Sequence, residues 1–187
     1  MNLIFCLLMI LKKNDYINKV NVITFEELLS LSNNNKVEVV VSISDFKERK
    51  KIVEKLSKKN LPIYNLISNR SYVMDLVRYK EGIVLSPFVT IGSNVTIGKH
   101  FHANLYSYVE HDCVIGDYVT FSPGVRCNGN IHIEDNVFIG SGATIINGND
   151  KDKIIIGKNT IIGAGTVVLN SLKPNSKYVG NPAREIK

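Results

Sequence analysis

The amino-acid sequence predicts a mainly β protein: a parallel solenoid of hexapeptide coils preceded by a small α/β unit. Two columns of apolar residues and the corners between them carry that prediction. From about residue 73 an apolar residue recurs at every sixth position: Val73, Tyr79, Leu85, Ile91, Ile97, Ala103, Val109, Ile115, Phe121, Cys127, Ile133, Ile139 and Ile145. Four places on, a second column is again apolar or small, running from Val77, Ile83, Val89 and Val95 to Ile131, Val137 and Ala143. Between the columns stand Gly, Asn and Asp, as in Gly92-Ser93-Asn94, Gly116-Asp117 and Glu134-Asp135-Asn136. These residue types tolerate the unusual backbone angles of tight corners.

A period of six fits neither an amphipathic helix nor simple strand alternation. Three strand-and-corner units close a triangular coil, and stacking one coil on the next is what buries the apolar columns. A β-sandwich would instead show strands at roughly 8–12-residue spacing with alternation, which is absent. The register breaks over Asn147 to Ile155 and resumes at Ile156, so an extra loop is expected there.

The region before the repeat reads as strands and helices in alternation. Leu3 to Leu11 is a buried strand; it is shorter than the roughly 20 residues that span a bilayer. It lacks the basic start and small-residue end of a secretory leader. Thr24 with Glu27 forms a capping box that opens a helix. Val37 to Ile43, rich in β-branched residues, is a strand. Asp45 with Glu48 opens a second helix with Phe46, Ile52, Val53 and Leu56 on its apolar face. Leu61 to Ile67 is another strand. The expected units are residues 1–70 and 71–187.

The net charge of +6 is concentrated early: residues 1–72 hold twelve Lys or Arg against seven acids, the remainder eleven against ten. Much of the excess lies in Lys47 to Lys59, which reads as a solvated helix face rather than a nucleic-acid surface. Cys6, Cys113 and Cys127 are too few for a disulfide framework or a zinc site. Cys113 and Cys127 fall in interior columns and read as buried thiols, consistent with a cytoplasmic protein and no metal.

The motifs Ile91-Gly92-Ser93-Asn94-Val95-Thr96, Ile115-Gly116-Asp117-Tyr118-Val119-Thr120 and Ile139-Gly140-Ser141-Gly142-Ala143-Thr144 resemble the bacterial hexapeptide acyltransferases, whose domain is a left-handed parallel β-helix. The layout is similar to the sialic-acid-cluster (NeuD) and PglD type, in which a small Rossmann-like domain precedes the β-helix and holds a nucleotide-linked sugar. Ser86 to Ile91, Phe101 to Val109, His111-Asp112, Ile115 to Phe121 and Gly180 to Glu185 look most like GDP-perosamine N-acetyltransferases. That similarity covers most of residues 83–187 and is looser over 1–72. There the chain has no Gly before Gly82 and no counterpart of the family's first strand and phosphate-binding glycine turn, so the α/β unit reads as a shortened one.

Acetyl transfer from a thioester to an amine needs a base, an oxyanion donor and a groove for the cofactor arm. His111, two places after an interior column, falls on a corner facing outward, and Asp112 beside it makes a His–carboxylate pair. The resemblance makes His111 the base and Asp112 its orienting carboxylate. Gly129 lies one coil above, its backbone N–H the candidate oxyanion donor. Asn104 matches an acceptor-pocket residue, or is a corner residue bonding its own backbone. His102 is expected to face outward beside the same groove, and Ser42 and Asp45 to meet the sugar nucleotide. His100 and His132 read as surface residues.

Gly142, Ala143, Gly163, Ala164 and Gly165 keep side chains small where a pantetheine arm would lie. Lys151 and Arg184 are candidate phosphate contacts. The resemblance further implies acetyl-CoA as cosubstrate and a homotrimer with active sites between subunits, its interface around Tyr106, Tyr108 and Phe121. The expected activity is N-acetylation of a nucleotide-linked 4-amino-4,6-dideoxy sugar for surface polysaccharide. The alternatives are a sugar O-acetyltransferase and a non-catalytic β-helix relative.

Overall fold

The computed structural model describes residues 6–8, 16–34 and 37–187. From Leu66 onward the chain is a parallel β-helix with three faces of eight, six and five strands. Each rung of two or three residues pairs in parallel with the rung one coil away. His102↔Thr120, Tyr108↔Arg126 and Val114↔His132 set the same eighteen-residue offset on all three faces. In the two-residue rungs from Val84–Leu85 onward the second residue points inward. Leu85, Ala103, Phe121, Ile139 and Ile162 form one such row, and the whole interior is a single apolar core. Stacking like upon like leaves these side chains almost no contact with water. Each buried Leu, Ile, Val or Phe contributes roughly 1.5–3 kcal/mol.

The corners follow a rule that the sequence shows only in part. One residue per hexapeptide takes a positive φ: Leu76, Phe88, Asn94, His100, Tyr106, Asp112, Tyr118, Asn130 and Asn136, with Gly82, Gly124 and Gly142 at the remaining positions of the series. Asn and Asp tolerate this region well, whereas Leu, Phe and Tyr adopt it rarely. The glycines that follow the first apolar column serve another purpose. A Cβ on Gly92 would lie 2.9 Å from the Glu110 carbonyl carbon, and one on Gly116 2.7 Å from the Asp135 nitrogen. They are required by coil-to-coil approach, while the residue two places on, Asn94 or Tyr118, turns the corner.

The break expected after Ile145 is present. Beyond it the stacking offset rises to 23, as between Asn136 and Asn159, so the insertion bulges from one corner and the interior register is kept. An antiparallel hairpin, Lys177–Val179 with Arg184–Ile186, ends the eight-stranded face.

Before the β-helix, Cys6–Leu8 pairs in parallel with Val20–Ile23, which also forms a hairpin with Tyr16–Ile17. The remainder of the expected Leu3–Leu11 strand lies outside the described residues. Helix α1 (Phe25–Asn34) opens with the predicted capping box: Glu27 N–H donates to Thr24 Oγ1, and Thr24 N–H to Glu27 Oε2 at 2.7 Å. Helix α2 (Phe46–Ser57) is capped by Asp45, which accepts from Lys47 and Glu48 N–H. The expected strand at Val37–Ile43 reduces to one parallel bridge, Val39↔Ile63. The expected strand at Leu61–Ile67 divides: Ile63 serves that bridge, and Leu66–Ile67 is already the first rung of the β-helix. Phe25, Leu28, Val41, Leu56 and Leu61 make a separate small core.

Candidate active site

His111 stands on the corner after the Tyr108–Val109 rung, half exposed. Its Nδ1 lies 2.7 Å from Asp112 Oδ2. The other carboxylate oxygen, Oδ1, accepts from Asn94 Nδ2 at 2.5 Å. The hydrogen bond to Asp112 raises the His111 pKa above its ordinary 6.5, and the charges of Asp112 and Glu110 add to it. Asp112 is correspondingly held below its ordinary value, first by the Asn94 amide and then by His111. With Nδ1 donating to the carboxylate, Nε2 carries the free lone pair, as a base requires.

Gly129 lies directly over the imidazole. A Cβ there would be 2.6 Å from His111 Cε1 and 2.7 Å from Nε2, so only glycine leaves room for the ring. Its N–H makes no hydrogen bond among the described residues and remains available to a developing oxyanion. Tyr108 Oη bonds Asn128 Oδ1 at 2.9 Å beside it. The inserted loop covers the same corner: Gly148 N–H donates to Gly129 O, and Lys153 lies close enough to help lower the Asp112 pKa. A cleft of about 220 Å³ opens there, lined by Asn147, Gly148, Asn149, Asp152, Lys153 and Asn170 among others.

The structure relocates several expected residues. His102 does not face a groove. It is 4% exposed, and its Nδ1 lies 3.0 Å from an Arg49 terminal nitrogen. Burial, then the charge of Arg49, pushes its pKa down to about 3, so it is a neutral acceptor. His100 is not a surface residue either. It is 1% exposed, packed over Gly82 and stacked on Tyr118 with ring centroids 4.8 Å apart. Ala143 is fully buried in the core and lines no groove. Phe121 is likewise interior and edge-on to Phe101, so it cannot contribute to a subunit interface.

Gly142 and Gly165 share a corner and both have positive φ. A Cβ on either would meet nothing within 4 Å, so that corner is open to an incoming chain. Gly163 is backed by Val179, while Ala164, Lys151 and Arg184 are exposed. Asn104 donates its amide to Phe121 O and so serves its corner. Asp45 uses one oxygen to cap α2, and Ser42 is exposed nearby. Cys113 and Cys127 are buried and unbridged. Among the described residues no helix is long and apolar enough to cross a membrane, and no cluster of His, Cys, Asp or Glu is suited to a metal ion.

Arg49 was legible in sequence only as one of a run of basic residues, yet it is fully buried. Its guanidinium donates to Ile43 O, Tyr118 O and Thr120 Oγ1 and contacts His102, joining α2 to two coils of the β-helix. Among the described residues no carboxylate is bonded to it, and burial lowers its pKa to about 10. The signal that singles it out is its place on the apolar face, three residues before Ile52 and seven before Leu56.

Comparison with known proteins agrees with this geometry. Residues 88–129 match the bacterial transferase hexapeptide (six repeats) model, and residues 130–170 match the hexapeptide repeat of succinyl-transferase. The chain is 47% identical over 147 residues to GDP-perosamine N-acetyltransferase of Escherichia coli O157:H7; the match covers 79% of the chain and 66% of that protein. The structure of WeeI from Acinetobacter baumannii AYE superposes with a TM-score of 0.89 at 44% identity, covering 91% of this chain and 80% of that one. PerB from Caulobacter crescentus, in complex with CoA and GDP-perosamine, gives a TM-score of 0.86 at 28% identity, covering 92% and 82%. With a three-sided parallel β-helix, a His–carboxylate pair under a bare glycine, and relatives at 44–47% identity, the chain belongs to the hexapeptide-repeat acetyltransferases.

Proposed function

We propose that this protein transfers an acetyl group from acetyl-CoA to the amine of a nucleotide-linked 4-amino-4,6-dideoxy sugar such as GDP-perosamine. The observation that carries the reading is His111, tied through Nδ1 to Asp112 and presenting Nε2 beside Gly129. The relatives support the donor and the acceptor, since PerB is seen with CoA and GDP-perosamine.

His111 Nε2 accepts a proton from the neutral sugar amine as its nitrogen attacks the thioester carbon. The Gly129 N–H donates to the oxyanion of the tetrahedral intermediate. Collapse breaks the C–S bond, and the proton held on Nε2 passes to the departing thiolate. Amide and free CoA are the products, and no metal or covalent enzyme intermediate is required. The open corner at Gly142 and Gly165 accommodates the pantetheine arm, with Gly163 and Ala164 beside it and Lys151 and Arg184 placed to meet phosphates. Asn104, Ser42 and Asp45 contribute to the acceptor side, with residues 1–70 as a shortened nucleotide-binding unit ahead of the β-helix.

The half-exposed site is completed by neighbouring subunits of a homotrimer. The left-handed corner aromatics Phe88 and Tyr106, stacked at 5.1 Å and largely exposed, mark a face that a partner would cover, with Tyr108 alongside. The enzyme acts in the cytoplasm, where nucleotide sugars and acetyl-CoA are found, and supplies surface polysaccharide synthesis.

The test is thiol release from acetyl-CoA with GDP-perosamine and related amino-sugar nucleotides. Release with a base-stable amide product supports the reading. An intact trimer that releases no thiol with any of them overturns it, and a product cleaved by mild base would make it an O-acetyltransferase.

A further inference from the structure

Two corners of the β-helix carry polar side chains stacked coil upon coil. On one, Asn136 Nδ2 donates to Asn159 Oδ1 at 2.9 Å, and Asn159 Nδ2 to Asn175 Oδ1 at 2.7 Å. An amide can accept from below and donate above, so such a ladder continues indefinitely. On the other corner Asn94, Asp112 and Asn130 occupy equivalent positions, with φ values of 58, 58 and 59. Asn94 donates upward to Asp112, and there the ladder stops. A carboxylate only accepts, and its second oxygen turns sideways to His111. One coil higher Asn130 Oδ1 is buried without a partner, as expected where the residue below has no amide to offer. The first ladder has the same orphan at its foot, Asn136 Oδ1, above Tyr118.

We propose that Asn94 is a positioning residue for this site: its amide fixes the Asp112 carboxylate so that the other oxygen holds the His111 imidazole as the Nδ1–H tautomer. The inference rests on His111 acting as the base. Asn94 has no contact with reacting atoms and acts through Asp112 alone. Its backbone is itself anchored, N–H to Asp75 O at 3.3 Å, and the Asp112 N–H to Ser93 O at 3.2 Å. The two corners are therefore held in register independently of the side-chain bond. The groups that bear on the imidazole besides Asp112 are Glu110 and Cys113 from its own coil, and Lys153 acts on Asp112 from the inserted loop.

Nitrogen-15 NMR of the full-length protein with labelled histidine reads the tautomer directly. Wild type should show His111 protonated on Nδ1 when neutral. Asn94→Gly keeps the left-handed corner and removes the amide, and Asn94→Ser leaves a hydroxyl too short to span the coil. In both, His111 should shift toward the Nε2–H form that free imidazole favours. Their kcat should fall about tenfold with little change in KM for acetyl-CoA. Asn159→Gly removes the equivalent rung from the other corner and should leave the His111 tautomer and kcat unchanged. A wild-type Nε2–H tautomer, or Asn94 variants that keep the Nδ1–H form and full kcat, would overturn the proposal. If no acceptor is acetylated, the functional reading fails, while the tautomer comparison still decides the role of Asn94.

Discussion

The two polar corners have the same left-handed φ, yet opposite uses. Asn136 and Asn159 donate their side-chain amides up the ladder, to Asn159 and Asn175. Asn94 and Asp112 pass their hydrogen bonding sideways to an imidazole that is half open to solvent. One acid in place of an amide converts a structural ladder into a chemical site, because a carboxylate cannot donate to the coil above. The solenoid tolerates that interruption because its stability comes from the apolar interior and the backbone ladders. Corner side chains add little by comparison, which leaves them free for function.

The comparison breaks most completely at His111. His111→Ala should lower kcat about a thousandfold, with the melting temperature unchanged because the side chain is half exposed. A thiol-release assay run beside thermal denaturation checks both. Gly129→Ala puts a methyl group into the space of Cε1 and Nε2 and displaces the imidazole. About a hundredfold loss of kcat is expected, with CoA binding by calorimetry retained.

Asp112→Asn sharpens the contrast. It restores an amide that donates to Asn130 Oδ1, so thermal stability should stay equal or rise, while kcat falls at least tenfold. His111 must be neutral to accept a proton, so the acid limb of the rate profile follows its raised pKa and lies above 6.5 in the wild type. Removing the carboxylate removes the main cause of that elevation, and the limb should move down toward 6.5. A pH profile of kcat that does not move would show that Asp112 is not the dominant influence. The smallest effect belongs to the structural corner: Asn159→Gly should cost about 1–2 kcal/mol in denaturant unfolding, with kcat unchanged.

Much of the site was legible before any coordinates. A His–Asp pair on a corner, with glycine three repeats later, follows from counting in sixes. Asn94, three repeats before Asp112, follows from the same count, although only the geometry shows that its amide reaches the carboxylate. Other residues resisted the count. His100 and His102 lie beside an interior column and read as outward-facing, but the α/β unit packs over that face and buries both. The fate of His102 depended on Arg49, a residue more than fifty positions away in the chain. Gly92 and Gly116 look like corner residues in sequence, whereas their backbones are pressed against the next coil and the residues two places on turn the corner.

The sequence by itself determined the coil: a six-residue apolar period has one economical way to leave water, and that way also dictates which residues stack above which. What the tertiary structure alone decided was which outward side chains remain in water. That depends on where the preceding α/β unit and the inserted loop come to rest, and those contacts join residues whose separation in the chain obeys no period.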